Sequence, residues 1–84
     1  MLLDKAKIFE VVKANTLKVL PDLVADDVTI DKNLSDLGAN SVDRVEVVIY
    51  SLEELSLKVP PSELHDLRNL RALVDLLHRH VLSQ

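Results

Sequence analysis

Cysteine is absent from the 84 residues, and with it every disulfide framework, thiolate metal site and cysteine nucleophile. Nothing therefore ties the chain to an oxidising compartment. Aromatic residues are almost missing, Phe9 and Tyr50 being the whole complement, so a core must be built from Leu, Val and Ile, which suits helices packed side by side. No apolar run approaches membrane-spanning length, and the opening Met1-Leu2-Leu3-Asp4 lacks the basic and long apolar regions of a signal peptide. A cytoplasmic monomer without membrane contact is expected. Repeats, low-complexity tracts and linkers are also missing, so residues 1–84 read as one domain. Glycine occurs once, at position 38, and that single residue turns out to be the most informative one in the chain.

What is present is a 48% apolar fraction, enough for a small core, and an uneven charge. Residues 22–54 contain nine acids against Lys32 and Arg44, a local balance of −7 within a whole of −4, so the remainder carries +3. An acidic field of this kind attracts basic surfaces and repels nucleic acid.

The periodicity predicts an all-α chain. A first helix reads from residue 4 to 20, with Asp4 as its cap and Pro21 as its stop. Ile8, Val11, Val12, Leu17 and Val19 share its apolar side, and Lys5, Lys7, Lys13 and Lys18 fall opposite. From residue 22 to 40 the pattern breaks into isolated apolar positions. Val28, Ile30, Leu34 and Leu37 are the side chains able to pin such a crossover over the helices, with room for a short helical turn. A second helix of about four turns spans residues 42 to 57. On its wheel Val42, Val45, Val48, Ile49, Leu52 and Leu55 form one arc, with Val47, Tyr50 and Leu57 outside it. Val59-Pro60-Pro61 ends that helix, and a short third helix occupies residues 62 to 67. Asn69 caps the last helix, along which Leu70, Leu73, Val74, Leu77 and Val81 recur. The fold class is a small four-helix bundle, three main helices plus a short third, with a long ordered loop between the first two.

The loop turns into the second helix at Asp36-Leu37-Gly38-Ala39-Asn40-Ser41-Val42-Asp43. Gly38 marks a tight turn, because only glycine takes left-handed backbone angles without steric penalty. Asn40 and Ser41 are both suited to cap the helix. Ser41 then lies at the positive end of a helix dipole, beside unpaired backbone N–H groups, a setting that favours a phosphate ester on its hydroxyl. Other chemistry fits less well. Ser41 lacks the Gly-x-Ser-x-Gly context of an activated nucleophile, and among the histidines only His65 is a candidate for being folded near it. His78 and His80 are two apart and point to different sides of a helix, which argues against metal and leaves them as partners of the helix dipole. The acidic second helix makes a poor reader of nucleic acid.

Asp-Leu-Gly-x-x-Ser-x-Asp followed by Val45-Glu46-Val47-Val48 resembles the phosphopantetheine attachment motif of acyl carrier proteins, with Ser41 in the place of the modified serine. Length, a helix before the motif, the Val-Pro step and a closing amphipathic helix match that family as well, so the resemblance covers nearly the whole chain. It implies that a phosphopantetheinyl transferase, using coenzyme A and magnesium, attaches the arm to Ser41, where its thiol holds acyl groups as thioesters. The chain itself is then not an enzyme. The resemblance also implies that Val47, Val48 and Leu55 face the core, in conflict with the wheel. Val42 and Ile49 would offer apolar contact to partner enzymes, and Asp36, Asp43, Glu46, Glu53 and Glu54 would offer charge to their basic patches. Arg44, counted with the same partner-facing set, brings a cation close to the expected phosphate.

Fatty-acid carriers commonly have Asp where Asn40 stands. The run Gly-Ala-Asn-Ser-Val-Asp-Arg is similar to stand-alone polyketide carriers, particularly those of β-branching cassettes. The partners so implied are an acyltransferase, a ketosynthase or an HMG-synthase-like enzyme. Peptidyl carriers usually show Gly-Gly where this chain has Gly38-Ala39. Two alternatives stand beside this reading: a fatty-acid carrier, and a helical interaction module in which Ser41 is only a cap.

Overall fold

The computed structural model describes residues 3–64 and 69–83. Asp4 Oδ1 accepts the Lys7 N–H at 2.9 Å and opens helix α1 (Lys5–Val19), which closes at Leu20, just before Pro21. Its buried stripe is Ile8, Val12, Asn15 and Thr16, the i, i+4, i+7, i+8 spacing of one helix face. Two of these four are polar and were not expected there. Thr16 Oγ1 donates to the Val12 carbonyl (2.8 Å), and Asn15 Nδ2 donates to the Val11 carbonyl (3.0 Å) and to Ser51 Oγ (3.3 Å). Ser51 is also buried and donates to the Val47 carbonyl (2.8 Å). Buried polar groups are tolerated when every one finds a partner, and these short side chains do so without holding α1 and α2 apart.

Helices α2 (Ser41–Leu55) and α3 (Leu70–Leu82) complete the main architecture. Among the described residues there are three α-helices, two 3₁₀ turns and no strand, which makes the fold the small all-α bundle that the periodicity predicts. The expected short third helix appears as a 3₁₀ turn, Pro61–Leu64; its remaining expected residues, 65–67, lie outside the described residues. No helix among the described residues is long and apolar enough to cross a membrane.

The crossover is ordered for two reasons. Val28 and Leu34 are buried, and Ile30 and Leu37 pack half-buried against the core, so all four expected anchors are in use. The short helical turn is Ala25–Asp27. In addition, the carbonyls of Lys32 and Ile30 accept the N–H groups of Leu70 and Arg71, both at 2.8 Å, while Asn69 Oδ1 accepts that of Ala72 at 2.9 Å. The first turn of α3 is thus satisfied by the chain itself, and Arg71 adds an ion pair to Asp31 at 2.7 Å.

On α2 only half of the wheel's arc is covered, and Val47, which the wheel left outside and the family expectation put in the core, is buried. Val47 is fully buried, with Val48, Leu52 and Leu55 packed half-buried beside it, whereas Val42, Val45 and Ile49 are 64%, 56% and 45% exposed. Leu57, placed outside the arc, is buried because the helix ends two residues before it. Ser56 takes left-handed angles (φ 55°), and the Leu57 N–H returns to the Leu52 carbonyl at 2.9 Å. That C-terminal turn redirects Leu57 into the core. Helix α1 packs on both α2 and α3, while α2 and α3 scarcely touch each other. A groove opens between them.

Candidate functional site

Four backbone and side-chain contacts build the turn before α2. Asn33 Oδ1 accepts the Asp36 N–H at 2.7 Å, Leu37 N–H returns to Leu34, Gly38 N–H to the Ser35 carbonyl at 3.0 Å, and Ala39 N–H to the Leu34 carbonyl at 3.0 Å. Gly38 has φ +97°, the left-handed conformation expected of it. Ala39 is then buried, which fixes the direction in which Asn40 and Ser41 emerge.

Asn40, not Ser41, caps the helix. Its Oδ1 accepts the Asp43 N–H at 2.8 Å, and Asp43 Oδ2 accepts the Asn40 N–H at 3.2 Å, a reciprocal capping box. Of the four N–H groups that a helix start leaves without intrahelical acceptors, this box satisfies two. Those of Ser41 and Val42 have no acceptor among the described residues. At α3, by contrast, the corresponding positions are bonded to the crossover. The capping box also commits one oxygen of Asp43, half-buried, to local structure.

Ser41 is exposed in the first turn, and its Oγ accepts from Arg44 Nη2 at 3.2 Å. Arg44 Nη1 donates to Ser35 Oγ at 3.1 Å. Arg44 therefore lies where the spacing put it, close to any phosphate on Ser41. Ser35 was not singled out from the sequence; nine residues separate it from Arg44, and only the turn around Gly38 brings the two together. The Ser41 hydroxyl has no carboxylate or histidine partner among the described residues, and His65, the candidate base, lies outside them. Chemically, the arrangement offers an accessible hydroxyl, the two N–H groups without an acceptor and a guanidinium, a setting for an anion rather than for proton abstraction. A phosphate ester on Ser41 fits these residues on those grounds.

Beside Ser41 lies the α2–α3 groove, about 850 Å³, walled by Leu34, Val45, Val48, Leu52, Leu70 and Leu73, with Ser35, Ser41 and Arg44 also lining it. Of the remaining expected residues, Asp36, Glu53 and Glu54 are exposed, and Glu46 is half-buried and accepts from Tyr50 Oη at 3.4 Å. Val42, Val45 and Ile49 are exposed apolar residues on the same helix as Glu46, Glu53 and Glu54. Elsewhere, side chains pair between elements. Lys5 meets Asp75 at 3.0 Å, and His80 Nε2 lies 2.9 Å from Glu63 in the 3₁₀ turn. The Arg71 guanidinium is raised above its ordinary pKa, first by its hydrogen bond to Asp31 and then by that residue's charge.

Residues 12–77 match the family model described as "Phosphopantetheine attachment site". The chain is 42% identical over 81 residues to the polyketide biosynthesis acyl-carrier-protein AcpK of Bacillus subtilis (strain 168), covering 96% of this chain and 99% of that one. It is 41% identical over 51 residues to an acyl carrier protein of Cyanidioschyzon merolae, covering 58% and 56%. Among solved structures, it superposes with a TM-score of 0.84 and 30% identity, over 92% of this chain and 99% of the other, on a chain of the complex between the HMG synthase of the curacin biosynthetic pathway and its acetyl donor-ACP. Phosphopantetheine is the group attached to members of this family, and the chain belongs to the acyl carrier proteins.

Proposed function

We propose that Ser41 is the residue that receives the phosphopantetheine arm, and that this chain, working as a single-domain monomer, carries acyl intermediates for enzymes of polyketide assembly. The observation that carries this reading is the exposed Ser41 hydroxyl, presented by the Gly38 turn at the mouth of the α2–α3 groove and touched by a guanidinium. Once attached, the arm supplies a terminal thiol on which an acyl group is held as a thioester. The chain contributes no catalysis. It anchors and presents, raising the effective concentration of the acyl group at each partner's active site.

The partners are a phosphopantetheinyl transferase, which docks first, and then an acyltransferase, a ketosynthase or an HMG-synthase-like enzyme. The similarity to AcpK and to the donor carrier of the curacin complex supports the polyketide assignment and the HMG-synthase-like partner. Val42 and Ile49 provide the apolar contact on α2, and Asp36, Glu46, Glu53 and Glu54 the complementary charge. Contacts of this kind are sensitive to salt and short-lived, as serving several enzymes in turn requires. The cysteine-free composition agrees with a cytoplasmic location.

The test is intact mass after incubation with coenzyme A, magnesium and a broad-specificity transferase. Wild type gains one phosphopantetheine and Ser41→Ala gains none. Because Asn40 supplies the cap, Ser41→Ala changes stability by less than about 0.5 kcal/mol, so its failure to load is not a failure to fold. A folded wild type that gains no mass with more than one transferase sinks the carrier reading and favours the interaction module.

A further inference from the structure

We infer that Arg44, held by Ser35, is a phosphate clamp that fixes the direction in which the arm leaves Ser41, laying its first bonds over the mouth of the α2–α3 groove. The inference deepens the reading of Ser41 as the attachment residue and rests on it.

A guanidinium is a planar fork of donors that matches the oxygens of a phosphate. Here the fork is already spread by two separate bonds, Nη1 to Ser35 Oγ at 3.1 Å and Nη2 to Ser41 Oγ at 3.2 Å. Esterification turns the Ser41 oxygen into a bridging ester oxygen, a weak acceptor, and places charged phosphate oxygens beside it. Nη2 then exchanges a neutral acceptor for an anionic one, which adds the attraction of opposite charges to a bond whose donor is already cationic. Ser35 keeps Nη1 and holds the fork in place.

Charge points the same way. The phosphodiester would be one more anion in a segment with a balance of −7, where Lys32 and Arg44 are the only cations. The ion pairs of lysine and arginine among the described residues are Lys5–Asp75 and Arg71–Asp31, so Arg44 is not committed to a carboxylate there. Geometry supplies the direction. Ser35, Arg44 and Ser41 all line the groove, whose other walls are apolar apart from Asn33 and Asn69. An arm held by Arg44 starts along that wall instead of swinging out over the carboxylates of α2. Arg44 is thus a positioning residue; it acts on where the arm lies and not on the chemistry at its end.

The experiment compares wild type, R44Q, R44K and S35A, each incubated with coenzyme A, magnesium and transferase. Intact mass reports loading, amide NMR reports the fold, and the ³¹P resonance reports the phosphate. Loaded wild type is expected to show a ³¹P shift and line width distinct from those of the same protein unfolded in urea. In folded, loaded R44Q the resonance moves most of the way to the unfolded position and narrows. R44K lies between, since it restores the charge without the fork. S35A, which leaves both Ser41 and the cation, shows once loaded a smaller displacement in the same direction. If R44Q loads too poorly for a spectrum, S35A decides the question alone. A wild type that gains no mass overturns the carrier reading and the clamp with it. Loaded R44Q and S35A with the wild-type resonance overturn the clamp and leave the carrier reading intact.

Discussion

The two faces of α2 are built from the same kind of residue and do opposite things. Val47 is wholly buried, while Val42 and Val45, within about a turn and a half, are more than half exposed. Side-chain chemistry does not separate them. What separates them is that α1 packs on one side of α2 and α3 stands off from the other. The face against α1 carries Val47 and the buried Ser51, which bonds to Asn15 across the contact. The open face begins at Ser41, runs past Val45 and Ile49, and shares its helix with Glu46, Glu53 and Glu54. An apolar strip of that kind, on a helix that also carries charge, is what a transient docking surface needs.

Paired substitutions can break this comparison, beginning with the strongest. Val47→Ala should lower stability by about 2–3 kcal/mol, the lost burial plus a cavity, measured by urea denaturation. Ile49→Glu should leave the denaturation midpoint nearly unchanged yet weaken binding to an HMG-synthase-like partner roughly tenfold, about 1.4 kcal/mol; equal binding would remove Ile49 from the docking face. Asn40→Ala should cost about 1 kcal/mol by loosening the turn from which both faces start. Val45→Ala should stay within about 0.5 kcal/mol of wild type. A large loss at Val45, or none at Val47, would mean that the faces have been assigned the wrong way round.

Much of the site was legible before the fold. Gly38 takes left-handed angles, Arg44 reaches Ser41, and Asn69 caps the last helix, because each depends on residues within a turn of one another. The cap of α2 was narrowed to Asn40 and Ser41, and the capping box chose Asn40. Ser35 was invisible, since no local spacing relates it to Arg44. Asn15, Thr16 and Ser51 were hidden by their polarity. They occupy core positions because each finds a hydrogen-bond partner within its own helix, and the positions of Asn15 and Thr16 on the Ile8–Val12 stripe were the one available signal.

The amino-acid sequence alone determined the three main helices, the caps of the first and last, and the serine with its motif, since these are set by backbone sterics, short-range hydrogen bonds and periodicity. Only the tertiary structure decided which arc of α2 is covered and that Ser35 joins Arg44 beside Ser41. It also decided that the crossover closes the first turn of α3. A helix wheel records which residues share a side but not which side a neighbour occupies. Burial depends on the neighbour.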